Sequence, residues 1–153
     1  MRCLVLGYDR TDSSRRAARW AASKLQPDGK LVIVHASRPL HAPPSPLATP
    51  QERRRFGQAL IDELLLETTG PLSEIDIETE ISDRDPVAAL QRAVRRHGAT
   101  AIVIGHEPHS RLHDALGTLT SELLKSSPVP VIAVPLTVEE AAVSAEPAVN
   151  TPR

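Results

Sequence analysis

Ala101–Ile102–Val103–Ile104–Gly105, continued by His106–Glu107–Pro108–His109–Ser110–Arg111–Leu112–His113–Asp114–Ala115–Leu116–Gly117–Thr118, is the stretch on which the fold turns. It begins as a short apolar, β-branched run, the composition of a strand buried on both faces of a parallel sheet. The run breaks at Gly105, crosses a polar loop and resumes at Gly117–Thr118, where a helix is predicted through Leu119 to Lys125. Strand, loop, glycine and helix N-terminus in that order form an anion site in α/β proteins. Free backbone N–H groups and the helix dipole converge there on one point.

The flanking sequence supplies the rest of an alternating pattern. Before the opening stretch lies Ile75–Ile81, where apolar positions alternate with Asp76, Glu78 and Glu80. That period marks a half-exposed strand and places it at a sheet edge. Asp85–Pro86 then reads as an N-cap with proline at the first helical position, and Gly98 as the residue that ends that helix. Val87, Leu90, Val94 and His97 are predicted to face inward, His97 in a structural role. Further back, Arg2–Tyr8 and Lys30–Ala36 read as two near-continuously apolar strands. A helix from Asp12 or Ser13, either of which suits an N-cap, to about Leu25 joins them. Its Ala17, Ala18, Ala21 and Ala22 form a small-residue face for close packing, and Arg15, Arg16, Arg19 and Lys24 are assigned to solvent. Ser37 to Pro50 holds five prolines and reads as a surface loop. A second helix is predicted from Gln51 to Thr68, with Phe56, Leu60 and Leu64 inward and Arg53, Arg54 and Arg55 in water. After the opening stretch, Ser126–Pro130 stops the helix and Val131–Val134 forms a last strand between prolines. The order βα-βα-βα-βα-β calls for an α/β fold, a doubly wound parallel sheet of five strands with helices on both faces.

Composition narrows the function. A chain of 153 residues suits one core, assigned to residues 1–137, with 138–153 expected to be a mobile tail. Only Tyr8, Trp20 and Phe56 are aromatic, so aliphatic side chains must fill the interior. A net charge of −1 gives no argument for nucleic acid or for an anionic membrane, and no apolar run reaches the roughly 18 residues of a span. The one cysteine, Cys3, excludes an internal disulfide; with no signal-peptide pattern at the N-terminus, it fits a reducing, cytoplasmic setting. There is no phosphate-binding loop lysine and no nucleophile elbow, so no enzyme chemistry is assigned. A receiver-type phosphoacceptor among Asp9, Asp12 and Asp83 lacks its basic partner, because Pro135–Leu136–Thr137 follows the last strand. His106, His109 and His113 sit too irregularly, and too close to Pro108, for a helical zinc motif; no metal site is assigned.

Within this pattern the chain resembles the universal stress proteins. The likeness covers residues 2 to about 135. It rests on Leu6–Gly7–Tyr8–Asp9 with Asp12–Ser13–Ser14, Val34–His35–Ala36, Asp85–Pro86, Ala101–Gly105 and Pro128–Pro135. The resemblance implies strand order 3-2-1-4-5, with a ligand crevice between strands one and four. It also implies an adenine nucleotide such as ATP, with Mg²⁺, contacting Asp9 and Ala36 at the adenosine and Gly105, Gly117 and Thr118 at ribose and phosphates. The N–H groups of Leu119 and Thr120 would serve the phosphates as well. Nucleotide-binding members carry G-2x-G-9x-G-[S/T] after strand four. Here Gly105 and Gly117–Thr118 match its ends, while Pro108 stands at the middle glycine and only eight residues separate it from Gly117. Proline offers no N–H and cannot take positive φ. A lost charge-assisted hydrogen bond is worth about 1.5–3 kcal/mol, one to two decades of affinity; Arg111 or a loop histidine is the candidate to compensate. The resemblance further implies a homodimer pairing through strand 131–134. Two functions follow: a stress-response protein with weak or residual nucleotide binding, or a homodimeric interaction module whose crevice is vestigial. Slow ATP hydrolysis would require a water-positioning base that the sequence does not offer.

Overall fold

The structure, a computed structural model, describes residues 1–40, 42–67, 70–106 and 117–135. Its elements in chain order are β1 (Cys3–Gly7), α1 (Asp12–Lys24), β2 (Lys30–Ala36), α2 (Pro50–Glu67), a short 3-10 turn (Pro71–Glu74), β3 (Asp76–Ser82), α3 (Pro86–His97), β4 (Ala101–Gly105), α4 (Gly117–Ser126) and β5 (Val131–Val134). All strand pairs are parallel and the sheet runs β3-β2-β1-β4-β5, with β1 and β4 meeting at the centre through Leu4 opposite Ala101 and Leu6 opposite Val103. The predicted doubly wound α/β sheet and its order are therefore observed.

Strand alternation divides the core into two layers. Leu4, Leu6, Leu31, Ile33 and Val103 point to one face, covered by the alanines of α1 and by Leu60, Ile61 and Leu64 of α2. Val5, Val32, Val34, Ile102 and Ile104 point to the other, covered by Ala89, Leu90, Ala93 and Val94 of α3 and Leu123 of α4. The alanine stripe lets α1 lie close to the sheet, which brings its first turn against the end of β4. Among the described residues no helix is long and apolar enough to cross a membrane.

Four local expectations are corrected. The α1 cap is Thr11, whose side chain accepts from the Ser14 N–H, so Asp12 and Ser13 are already inside the helix. Arg15 is not simply solvated: it lies within 4 Å of Asp12, Glu63 and Glu67 and ties α1 to α2. Phe56 is 61% exposed, and Gly57 faces the sheet in its place. A Cβ at Gly57 would come within 2.8 Å of the His35 ring and 2.9 Å of Ile81, so this turn of α2 docks more closely than a side chain allows. The arrival of Gly57 rotates Arg53 inward. Its side chain is only 12% exposed, and its Nη1 donates to the carbonyls of Ser45 (3.2 Å) and Ala48 (2.5 Å). The proline-rich loop is thus pegged to α2. Residues 138–153, expected as a tail, lie outside the described residues.

Candidate ligand cleft at the switch point

β1 and β4 are neighbours whose connections leave in opposite directions, and a cleft opens beyond their carboxyl ends, where open α/β sheets bind ligands. One wall is the β1–α1 turn. Tyr8 continues the strand ladder by donating its N–H to the Val34 carbonyl at 2.9 Å. Asp9 then closes a tight turn: its Oδ1 accepts from the Thr11 N–H at 3.1 Å and from the Thr11 hydroxyl at 2.5 Å. Thr11 Oγ1 in turn caps Ser14 at 3.2 Å, and the Ser14 hydroxyl donates to the Thr11 carbonyl at 2.9 Å. Between them Arg10 takes φ of 71°, the one left-handed non-glycine among the described residues. Two contacts hold it there. The Arg15 guanidinium donates to its carbonyl at 2.9 Å, and its own side chain reaches Glu63 at 3.2 Å.

The floor is formed by Gly7 and Gly105. A Cβ on Gly105 would lie 2.5 Å from the Ser13 carbonyl oxygen and 2.7 Å from its hydroxyl, so glycine is what lets α1 start so near the end of β4. Ser13 and Ser14 are both almost fully buried there. Ala36 at the end of β2, Pro86 and Leu90 of α3, Ile104, and Leu119 of α4 complete the lining. The cavity measures about 130 Å³. Sites that bury a drug-sized ligand start at roughly 300 Å³. Among the described residues the enclosed space is that of one flat ring system. Tyr8 borders the cleft, and its side chain packs in the α1–α2 layer of the core, where burial raises its pKa and its hydroxyl has no hydrogen-bond partner among the described residues.

The fold brings four of the sequence-singled residues, Asp9, Ala36, Gly105 and Leu119, to this one cleft. Thr118 is exposed at the first turn of α4, Thr120 is buried, and Gly117 begins the helix; Thr118 and Thr120 are not among the described residues that line the cleft. Arg111, Pro108, His109 and His113 lie outside the described residues. His106 extends the sheet, donating its N–H to the Val134 carbonyl at 2.9 Å. Among the described residues no group of three or more His, Cys, Asp or Glu side chains could hold a metal ion. Sequence reasoning missed Thr11, Ser13, Pro86 and Leu90 as cleft residues. The two serines and Asp85–Pro86 were legible as helix starts, but nothing in a linear pattern says that two helix starts face each other across a sheet.

A doubly wound sheet with a small cleft at its switch point defines a class of α/β ligand-binding domains. The comparisons narrow it. The sequence model of the universal stress protein family matches residues 1–135, and the chain belongs to that family. Three solved structures illustrate the likeness. One is a universal stress protein family member from Burkholderia pseudomallei, 21% identical, with TM-score 0.59 over 88% of this chain and 96% of that one. Another is an Arabidopsis thaliana family member with AMP bound, 19% identical, with TM-score 0.61 over 92% and 95%. The third is a universal stress protein in complex with cAMP, 23% identical, with TM-score 0.57 over 89% and 98%. No curated protein matches the chain.

Proposed function

We propose that this universal stress protein binds an adenine nucleotide weakly at the cleft, in the cytoplasm, and acts by ligand-sensitive association as a homodimer, not by bond chemistry. The observation that carries this is the convergence of Asp9, Ala36, Gly105 and Leu119 on one cavity between β1 and β4. The AMP and cAMP complexes of two structural neighbours supply the ligand class. The base would occupy the ring-sized cavity beside Ala36 and Asp9. The sugar and phosphates would extend toward Gly117, Thr118 and the first N–H groups of α4, with Mg²⁺ supplying charge neutralisation when ATP is the ligand. Affinity is expected roughly one to two decades below that of an intact glycine loop, because Pro108 removes one phosphate donor. Calorimetric titration with ATP and Mg²⁺ tests this. Weak saturable heat that disappears in Asp9→Ala supports it, and no saturation at millimolar nucleotide removes it. Replacing Pro108 with glycine and adding one residue before Gly117 should then raise the affinity.

A vestigial crevice in a pure interaction module has its own support. Asp9 already has a structural duty at the Thr11 cap, and Gly105 is required by the Ser13 approach. Neither residue needs a ligand to explain it. Nucleotide co-purifying with the protein separates the two functions.

A further inference from the structure

A second cavity, larger than the first, opens on the other side of the β2 end. It measures about 550 Å³ and lies between β2, the proline-rich loop and the first half of α2. That is within the roughly 300–1,000 Å³ range of small-molecule sites. We propose that it binds a flat, neutral aromatic molecule carrying one N–H or O–H donor, of the indole or phenol type. The two cavities share Ala36, but this proposal does not rest on the nucleotide reading.

Three observations fix the chemistry. The walls are apolar and planar: Ala36, Pro39, Ala48 and the ring of Phe56, which is 61% exposed at the cavity rim. A phenylalanine in that position loses hydration cost when a flat ligand covers it, and stacking adds to the gain. Second, His35 offers an open acceptor. Its Nδ1 lies 3.0 Å from the Tyr8 carbonyl, which can only accept, so Nδ1 donates there and Nε2 is the ring nitrogen left to face a ligand. His35 makes no other hydrogen bond or ion pair with the described residues, and its ring lines the cavity. Third, the charges at the rim already have partners, the buried Arg53 Nε alone lacking a hydrogen bond. Arg53 lies 3.6 Å from Asp83 and donates to two loop carbonyls, while the Glu52 carboxylate accepts from the Thr49 N–H at 2.7 Å. An anion at Arg53 would compete with Asp83 for the guanidinium; a neutral donor finds His35.

The test is titration of the ¹⁵N-labelled protein with indole, N-methylindole and an indole carboxylate, followed by amide chemical shifts. Indole should saturate with shifts centred on Ser45, Ala48 and Phe56. N-methylindole, which lacks the donor, should bind about fivefold more weakly, the value of one net hydrogen bond. Phe56→Ala, at an exposed position, should weaken indole binding while leaving the rest of the spectrum in place, and Ala48→Trp should block it by filling the space. No saturation in the millimolar range overturns the site. Shifts centred on Gly7, Leu90 and Gly105 would assign the binding to the other cleft and overturn it equally. Equal affinity for N-methylindole, or tighter binding of the carboxylate, overturns the proposed ligand chemistry.

Discussion

Gly7 and Gly105 end adjacent strands and look equivalent in the sequence, yet their surroundings differ. A Cβ at Gly7 would meet Ile104 at 3.4 Å and Leu90 at 3.5 Å, ordinary contact distances. A Cβ at Gly105 would overlap the Ser13 carbonyl and hydroxyl, and backbone cannot swing aside as a side-chain tip can. Gly105→Ala is therefore expected to destabilise the protein by about 1–3 kcal/mol, the usual cost of overpacking, and Gly7→Ala by less than about 1 kcal/mol. Urea unfolding of both variants checks the contrast, and equal midpoints would contradict the close approach of α1. Cys3 gives a second prediction at this scale. Burial is the main influence on its thiol and raises its pKa above the ordinary thiol value, against a smaller opposite pull from Lys30. A group whose folded pKa is raised contributes stability below its unfolded pKa and loses it as pH rises toward the folded value. Stability should thus hold at neutral pH and fall above about pH 8.5, the ordinary thiol range. Cys3→Ala should flatten that early alkaline slope, leaving the later one from buried Tyr8, whose pKa is also raised by burial. Unfolding midpoints from neutral to alkaline pH read the difference.

The elements show what the sequence could and could not disclose. Strand cores were legible because a period of two and β-branched runs are local properties; β1, β2, β4 and β5 fall within a residue or two of expectation. Helix phase was less so. The spacing Phe56, Leu60, Leu64 fits a helical face, but so does Gly57, Leu60, Ile61, Leu64, and the second is used. A glycine inside a helix was the available signal, since it costs helix stability and is kept where backbones must touch. In the cleft, Asp9 and Gly105 were legible by their place in the motif. Thr11, three residues before the capped N–H of Ser14, was passed over for Asp12 or Ser13 because cap composition alone does not rank neighbours. β3 and α3 carry the element-scale prediction. His97, its side chain 8% exposed, sets Nε2 2.5 Å from Glu80 and Nδ1 3.5 Å from Glu78, while Lys30 holds the other Glu78 oxygen at 2.9 Å. One imidazole thus fastens the C-terminus of α3 over an edge strand that is otherwise half exposed. His97→Ala should cost about 1–3 kcal/mol, because it removes the hydrogen bond to the partly buried Glu80 and leaves it only the Arg96 guanidinium at 3.8 Å. It should also raise amide exchange in β3 before β1 or β4 is affected. Uniform exchange across the sheet would mean that the contact does not hold this edge.

At the scale of the molecule the two sheet edges are unlike. β3 presents Asp76, Glu78 and Glu80, the charges that discourage strand-to-strand association. β5 presents Val131–Ile132–Ala133–Val134 without a charge, and among the described residues its outer side has no strand partner. The proposed homodimer therefore belongs at β5. A four-residue strand is only about 13 Å long, and Pro130 and Pro135 stop the ladder at both ends. Stable interfaces bury about 1,200–2,000 Å² in total, which so short a ladder cannot supply. More apolar surface must join it. α4 packs beside β5 and exposes Leu124 at 55%, while its neighbour Leu123 fills the core. Leu124 is thus the exposed leucine nearest the strand by element, and it is the residue expected to carry the remaining burial. Sedimentation velocity at micromolar concentration should show a dimer. Leu124→Glu should raise the dimer dissociation constant about tenfold or more, placing a carboxylate in a desolvated contact. Because the side chain is exposed in the single chain, the unfolding midpoint measured below the dissociation constant should not move. Leu66→Glu, at a leucine 84% exposed on α2 away from β5, serves as the control and should leave association unchanged. A monomeric parent protein would refute the dimer outright. A dimer indifferent to Leu124→Glu but broken by Leu66→Glu would move the interface from β5 to α2.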